Sequence, residues 1–480
     1  MLIIIIELLI VLLALYLGSR YGSLALGAIA GLALAFLVFD HGLKPGTPPT
    51  DVIYIIVAAI TCAGILQASG GMNWMVQKAE KWLRKNPDRI TFYAPLCTFF
   101  LTVICGTGHV SYTIMPVIID VALKNGIRPE RPAAVSSVAS MIAIICSPIS
   151  AAVVAFSTIS IAYGFNISIL QIIAVTIPAC LCGVIAAAAW SYKRGLDLDK
   201  DPEFQNMLKD PVKYADIYNT RYSMADKQID ANSRRAVYLF LAAVLVIVVL
   251  AACPQLLPSF DTVKTIGEAK DIALPEGIKV STSALANAGI VMPGLTEKTP
   301  TTINMYLVIQ IILITVAALM IIFCKAKPKE AVAGNVWQAG MVAVVAIYGI
   351  AWMANTFFSA HISNIEGLLG NMASSYPWAI GIIFFLFSVL TNSQAAVIVA
   401  LVPVAYQLGF SGAVLLGVLP CVYGYFFIPN YPTDLATVSF DPTGTTRIGK
   451  FVLNHSFMVP GLIAVAVSTV VCFALANIFF

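Results

Sequence analysis

The chain has 480 residues, 59% of them hydrophobic and 11% charged, with a mean hydropathy of +0.89. A soluble domain carries about 25% charged residues, so water is excluded as the main solvent, and the small net charge of +4 implies no nucleic-acid partner. The ten cysteines fall almost entirely in apolar runs and form no Cys-x-x-Cys pair beside a matching His or Cys cluster, which argues for buried structural thiols and against a metal framework.

The first apolar run, 1–18, has no positively charged start and no small-residue cleavage site, so it reads as a retained helix. Further runs follow at 22–40, 51–70, 91–105, 110–122, 133–163, 168–192, 236–252, 303–324, 336–358, 377–391, 395–410, 411–446 and 455–479. Runs as short as 91–105 and 377–391 rise only about 22 Å as helices, against roughly 30 Å of hydrocarbon, and predict arms of re-entrant hairpins. Glu7 lies within the first run, close enough to its end to snorkel.

Between the runs the basic residues are unevenly shared. With the N-terminus outside and the two hairpins entering from opposite faces, 23 of the 28 Lys and Arg fall on the cytoplasmic side, including nine between Lys193 and Arg235. Five remain outside: Lys44, Lys264, Lys270, Lys279 and Lys298. That split is the positive-inside pattern; it sets sidedness and not hairpin depth, and it puts the C-terminus outside as well. The expected organisation is a membrane half at 1–192, a solvated cytoplasmic linker at 193–235, a connecting helix at 236–252, a proline-rich periplasmic loop at 253–302 and a second membrane half at 303–480.

The two halves repeat one order: spans, an amphipathic segment (72–87 and 359–375), a hairpin with a polar tip (about 91–122 and 377–410), then a span broken by prolines (133–163 and 411–446). The tips are CGTGH at 105–109 and TNSQ at 391–394; the breaks are CSPIS at 146–150 and IPNYPTD at 428–434. Thr107 precedes Pro148 by 41 residues and Ser393 precedes Pro432 by 39. The fold class expected is therefore an all-α polytopic membrane protein, an inverted structural repeat with two re-entrant helical hairpins and two discontinuous transmembrane helices, as in secondary transporters.

A broken helix exposes what an anion needs. Unpaired N–H groups at a half-helix N-terminus attract carboxylates, so two tips facing two breaks can hold two carboxylates without Lys or Arg. The candidate substrate residues are Gly106, Thr107, Gly108, His109, Ser147, Pro148, Ser150, Asn392, Ser393, Gln394, Asn430, Tyr431 and Thr433. Packing alternatives stand beside them: the glycines as turn residues, His109 as a satisfied core histidine, the prolines as kinks. Asp434 is the one acid beside a break, so it is assigned to ion coupling or to pairing a substrate amine, with helix capping as its structural alternative. An intramembrane hydrolase would need a paired acid or a Ser–His couple; Asp434 has no acidic partner in the pattern and His109 and Ser111 do not share a helix face.

The stretches LQASGG (66–71), CGTGHVSYTIMPVI (105–118), IRPERP (127–132), SPISAAVV (147–154), NSQAA (392–396), IPNYPTDLA (428–436) and DPTGTTRIGKFVLNHSF (441–457) resemble the anaerobic C4-dicarboxylate transporter (Dcu) family. LRKNP (83–87) and YGIAWMA (348–354) extend the likeness over nearly the whole chain; GTGH and PTD are most similar to its fumarate–succinate exchanger branch. The resemblance implies a bacterial inner-membrane carrier that takes in fumarate, malate or aspartate and exports succinate in anaerobic respiration. It also implies membership of the wider ion-transporter superfamily. The expected partners are these substrates, the bilayer, a homodimer and, as in some relatives, a fumarate-sensing histidine kinase, for which no residue here calls. No cofactor is expected, and coupling would use Na+ or H+. A Na+- or H+-coupled carrier of another anion is the alternative. The 253–302 segment is longer than the family leads one to expect.

Overall fold

The computed structural model describes residues 2–21, 24–211, 214, 217, 230–265, 272–273, 279–280, 296–451 and 453–480. It is helical nearly throughout. Among the described residues, seven helices are long and apolar enough to cross a bilayer, and a bent pair at Val52–Lys85 would make an eighth.

Helices α1 (Leu2–Tyr21), α2 (Ala25–Ala35, continued by a π turn to Asp40) and α3 (Thr50–Ala68) open the chain. Gly70 in the left-handed region, with φ of 76°, ends α3 and turns the chain by 68° into the amphipathic α4 (Gly71–Lys85). A hairpin follows, α5 (Ile90–Cys105) and α6 (Ser111–Lys124), then α7 (Glu130–Ile142), α8 (Ala151–Ala162) and α9 (Ile169–Ser191). With the short turn Pro87–Arg89 in front of it, the first arm reaches 19 residues, so its length alone permits a crossing.

The linker is not merely solvated. It contains α10 (Pro202–Met207), and Leu198, Phe204 and Ile217 bury against Leu123. Arg128 pairs with Asp201 at 2.7 Å and Arg131 with Asp197 at 2.6 Å, which ties the linker to the start of α7.

Helix α11 (Ala231–Ala252) leads to the 253–302 segment, which departs from an all-α plan. There β1 (Ser259–Thr265) pairs antiparallel with β4 (Thr296–Thr302), Ser259 opposite Thr302, while the short β2 (Ile272–Ala273) and β3 (Lys279–Val280) pair with each other. Threonines at 262 and 265 in β1 and at 296, 299, 301 and 302 in β4 are strand chemistry that a reading tuned to spans passes over.

The second half comprises α12 (Met305–Cys324), α13 (Pro328–Ala333) and α14 (Asn335–Ser375), then α15 (Ile380–Thr391) and α16 (Gln394–Gln407). It ends with α17 (Gly412–Gly417), α18 (Pro432–Phe440) and α19 (Met458–Phe479). The expected separate amphipathic segment at 359–375 is instead the end of the continuous 41-residue α14, because nothing equivalent to Ser69–Gly70 interrupts it.

Close helix crossings hold the bundle. A methyl group at Gly183 of α9 would run into Ser468 and Ala464 of α19, and one at Gly349 of α14 would meet the backbone of Gly27 in α2. Small residues let backbones approach where lipid supplies no hydrophobic drive. At the centre lies α7, buried at every position from Arg131 to Ile142 although it carries Arg131, Ser136, Ser137 and Ser140.

Glu7 does not snorkel. It is 1% exposed, and its carboxylate is held between His41 Nδ1, at 3.0 Å, and His361 Nε2, binding α1 to the end of α2 and to α14.

Candidate functional site

The two hairpin tips carry one backbone motif on different residues. After Cys105, Gly106 takes φ of 72°, Thr107 is extended at φ −147° and ψ 140°, and a 3-10 turn from Gly108 to Val110 opens α6. After Thr391, Asn392 takes φ of 51°, Ser393 is extended at φ −151° and ψ 116°, and α16 begins. Glycine adopts the left-handed backbone without steric cost and Asn is one of the few residues to tolerate it, so Gly-Thr and Asn-Ser solve one problem. Both hydroxyls accept a backbone N–H at 3.3 Å, Thr107 from His109 and Ser393 from Ala396.

The breaks are alike as well. A 3-10 turn, Ala143–Cys146, precedes four non-helical residues, 147–150; a second, Tyr425–Phe427, precedes another four, 428–431. By place within the break, Pro148 corresponds to Pro429 and not to Pro432, as the spacing led one to expect. Pro432 is the first residue of α18, where a missing N–H costs no helix hydrogen bond.

Tips and breaks from both halves meet around the end of α7. A methyl group on Gly108 would lie 3.0 Å from Met141 Cε and 3.2 Å from the Ser140 carbonyl; one on Gly106 would lie 2.8 Å from Ile149 Cγ1. From the other tip, Gln394 Nε2 donates to the Met141 carbonyl at 2.7 Å and to Tyr425 Oη at 3.2 Å. One turn earlier on α7, Ser137 Oγ donates to Asp434 Oδ1 at 2.6 Å, joining the first broken helix to the second. Four helices, α6, α8, α16 and α18, start at these tips and breaks.

Buried polar atoms without a hydrogen-bond partner among the described residues gather here. They are Thr102 Oγ1, His109 Nδ1, Ser111 Oγ, Ser136 Oγ, Asn392 Oδ1, Gln394 Oε1, Tyr423 Oη and Thr433 Oγ1; two others, on Thr446 and Ser468, lie elsewhere. Buried polar groups are normally paired, so these eight, on or beside both tips, on α7 and at the second break, are the candidates for meeting a polar ligand. Stretches 105–112, 147–150, 388–396 and 423–434 contain no Lys or Arg.

Residues 3–480 match the family model described as anaerobic C4-dicarboxylate membrane transporter. The chain belongs to this family. It is 42% identical over 468 residues to "Anaerobic C4-dicarboxylate transporter DcuB" from Escherichia coli, covering 97% of this chain and 96% of that one. It is 35% identical over 473 residues to "C4-dicarboxylate transporter DcuA" from Wolinella succinogenes, covering 98% and 99%, and 36% identical over 472 residues to the Escherichia coli protein of that name, covering 98% of each. The molecule is a membrane transporter and not an enzyme.

Within this transporter the predicted residues divide by environment. Gly106 and Gly108 pack the first tip onto α7 and α8's approach, and Thr107 and Ser393 cap their tips. The His109 ring stacks on Tyr112 with centroids 5.8 Å apart. Ser150 caps α8 by accepting from Val153 N at 3.2 Å, and Ser147, beside Pro148, accepts from Ile149 N at 3.4 Å. Tyr431 lies against Tyr425, centroids 4.8 Å apart, and Thr433 is buried. Asn430 is exposed, outside the buried cluster. Asp434 is 1% exposed and makes no cap: Tyr431 holds the N-cap position, and the carboxylate spends its hydrogen bond on Ser137.

Sequence reasoning missed Ser136, Ser137, Tyr112, Tyr423 and Tyr425. A signal existed for the serines: SSVAS at 136–140 puts three hydroxyls in the most buried span, where lipid-facing chemistry would use none. Among the described residues no group of three His, Cys, Asp or Glu is placed to hold a metal ion.

Proposed function

We propose that this transporter exchanges C4-dicarboxylates, with fumarate, malate or aspartate moving in and succinate out, by alternating access around the cluster where the two tips meet the end of α7. The observation that carries the reading is the group of eight orphaned buried polar atoms beside four helix starts, in stretches free of Lys and Arg. Helix N-termini supply partial positive charge and N–H donors, which suits a dianion that must bind and then leave. A Lys or Arg clamp would hold it harder than transport needs.

The inverted repeat is part of the proposal and is supported by the matched tips and the matched four-residue breaks. In this reading the hairpins enter from opposite faces, both termini lie outside and 193–235 lies in the cytoplasm of a bacterial inner-membrane carrier. Asp434 carries a coupling Na+ or H+, or pairs the ammonium of aspartate, because a lone buried carboxylate would otherwise repel a dianion. A homodimer, and the fumarate-sensing histidine kinase that the resemblance implies, are the protein partners to test by co-purification.

Counterflow decides the substrate class. Liposomes loaded with succinate are challenged with labelled fumarate, aspartate, citrate and sulfate. Fumarate and aspartate enter in exchange for succinate; uptake of citrate or sulfate with none of fumarate overturns the reading.

A further inference from the structure

A polar cavity of about 320 Å³ opens at the face where α7 begins and α9 ends, away from the tips. The 447–460 stretch completes its wall. Its charges do not balance. Glu130 is already engaged, with Oε2 accepting from Arg128 Nε at 2.8 Å and Oε1 from Ser456 Oγ at 2.7 Å. Arg131 is spent on Asp197 and on the carbonyls of Arg194 and Gly195. His455 accepts from Phe457 N on Nδ1, which leaves its proton on Nε2 facing the Phe427 carbonyl, and burial pushes its pKa below the usual histidine range. Arg194 and Arg447 remain, both exposed, with no acidic partner among the described residues.

The surroundings are amphiphilic. The Arg194 guanidinium stacks 3.7 Å from the Trp190 ring centroid, the pairing of cation and aromatic found where protein meets headgroups. Leu453 and Val459 line the same cavity and are 54% and 36% exposed, and Leu462, three residues on from Val459, continues an exposed apolar track along α19. A small soluble dianion needs two cations but has no use for that track.

We propose that this cavity binds the phosphodiester headgroup of an anionic phospholipid, with Arg194 and Arg447 on the phosphate, Trp190 at the headgroup level and an acyl chain along Val459 and Leu462. The placement rests on the sidedness given above, which puts the cavity at the cytoplasmic leaflet, where basic pockets between spans take anionic headgroups. Arginine suits the ligand because its planar fork matches two phosphate oxygens at once. Bound there, the lipid bridges the start of the first broken helix to the chain that follows the second.

The test needs no transport. Purified full-length protein in neutral detergent is titrated with phosphatidylglycerol, phosphatidylcholine of the same chains, inorganic phosphate and succinate, and the apparent Tm is read. Phosphatidylglycerol raises Tm where phosphatidylcholine and phosphate do not, and Arg194→Gln with Arg447→Gln weakens its midpoint roughly 30-fold, two arginines' worth of surface attraction, while any rise with succinate, which reports the transport site, is the same in parent and double variant. Where that pair does not fold, quenching of Trp190 by bromine-labelled phosphatidylglycerol, measured as the difference from Trp190→Phe, replaces it. Equal response to phosphatidylcholine, an unchanged midpoint in the double variant, no Trp190-dependent quenching, or protection by phosphate or succinate that the double variant loses overturns the proposal. Succinate counterflow in phosphatidylcholine liposomes reports separately on the transport reading.

Discussion

Gly108→Ala probes the contact that seats the first tip on α7. The new methyl would sit inside van der Waals distance of Met141 Sδ, 3.0 Å from its Cε and 3.2 Å from the Ser140 carbonyl, where carbon pairs prefer about 3.5–4.0 Å. Met141 is 1% exposed and Gln394 holds its carbonyl, so neither side chain nor backbone has free room. Overpacking of this kind costs about 1–3 kcal/mol. Met141→Ala alone removes buried volume and costs about 2–5 kcal/mol, but it clears the space the methyl needs. The two changes should therefore compensate: the double variant is more stable than the sum of the singles by about 1 kcal/mol or more. Apparent Tm in detergent measures the cycle. Succinate counterflow gives the functional side, where a displacement of about 1 Å at a binding tip can cost roughly 100-fold in rate. Gly108→Ala lowers both; Met141→Ala added to it lowers Tm by less than it does in the parent and recovers part of the rate. Additive losses, or a neutral Gly108→Ala, would refute the packed tip. The cycle also shows why a bulky residue at Gly106 or Gly108 cannot report on substrate alone, since each glycine is required by protein contacts.

Ser393→Ala removes a cap and lowers Tm by an amount equivalent to about 1 kcal/mol, whereas Ser393→Asp keeps the cap and weakens succinate affinity by charge repulsion; equal affinity in both variants would make the tip a structural turn. Asp434→Asn retains an oxygen for Ser137 and so keeps expression, while it changes the dependence of transport on pH, on Na+ or on the substrate's amino group; kinetics identical to the parent in all three would leave Asp434 a structural residue. His361→Ala leaves the Glu7 carboxylate buried with one partner fewer and lowers stability by about 1–3 kcal/mol, read as Tm; an unchanged Tm would show the cluster to be solvated in the membrane. In a cysteine-free background, Asn206→Cys is shielded from an impermeant thiol reagent in intact cells and Leu256→Cys reacts; the opposite pattern inverts the topology.

Much of this protein could be read locally because the bilayer imposes local rules. Apolar length marks the spans, most charge falls in loops and helix ends, and left-handed turns favour Gly or Asn, so the tips at Gly106 and Asn392 and the breaks at Pro148 and 428–431 were legible without coordinates. Family motifs in both halves carried the substrate class, which spacing and composition could not. What needed the tertiary structure was everything decided by a neighbour distant in the chain. Ser137 matters because Asp434, 297 residues later, lies against it, and a serine in a span looks the same whether it meets a carboxylate or a backbone. Glu7 reads as a snorkelling acid until His41 and His361 close around it. The register of the second break, Pro429 and not Pro432, depends on where α18 can start, and the bend after Ala68 with its absence in α14 depends on one left-handed glycine. Hydropathy is a property of single residues, so the sequence determines which segments leave water. Pairing is a property of two, and only the packed chain decides which polar groups find a partner and which remain unpaired.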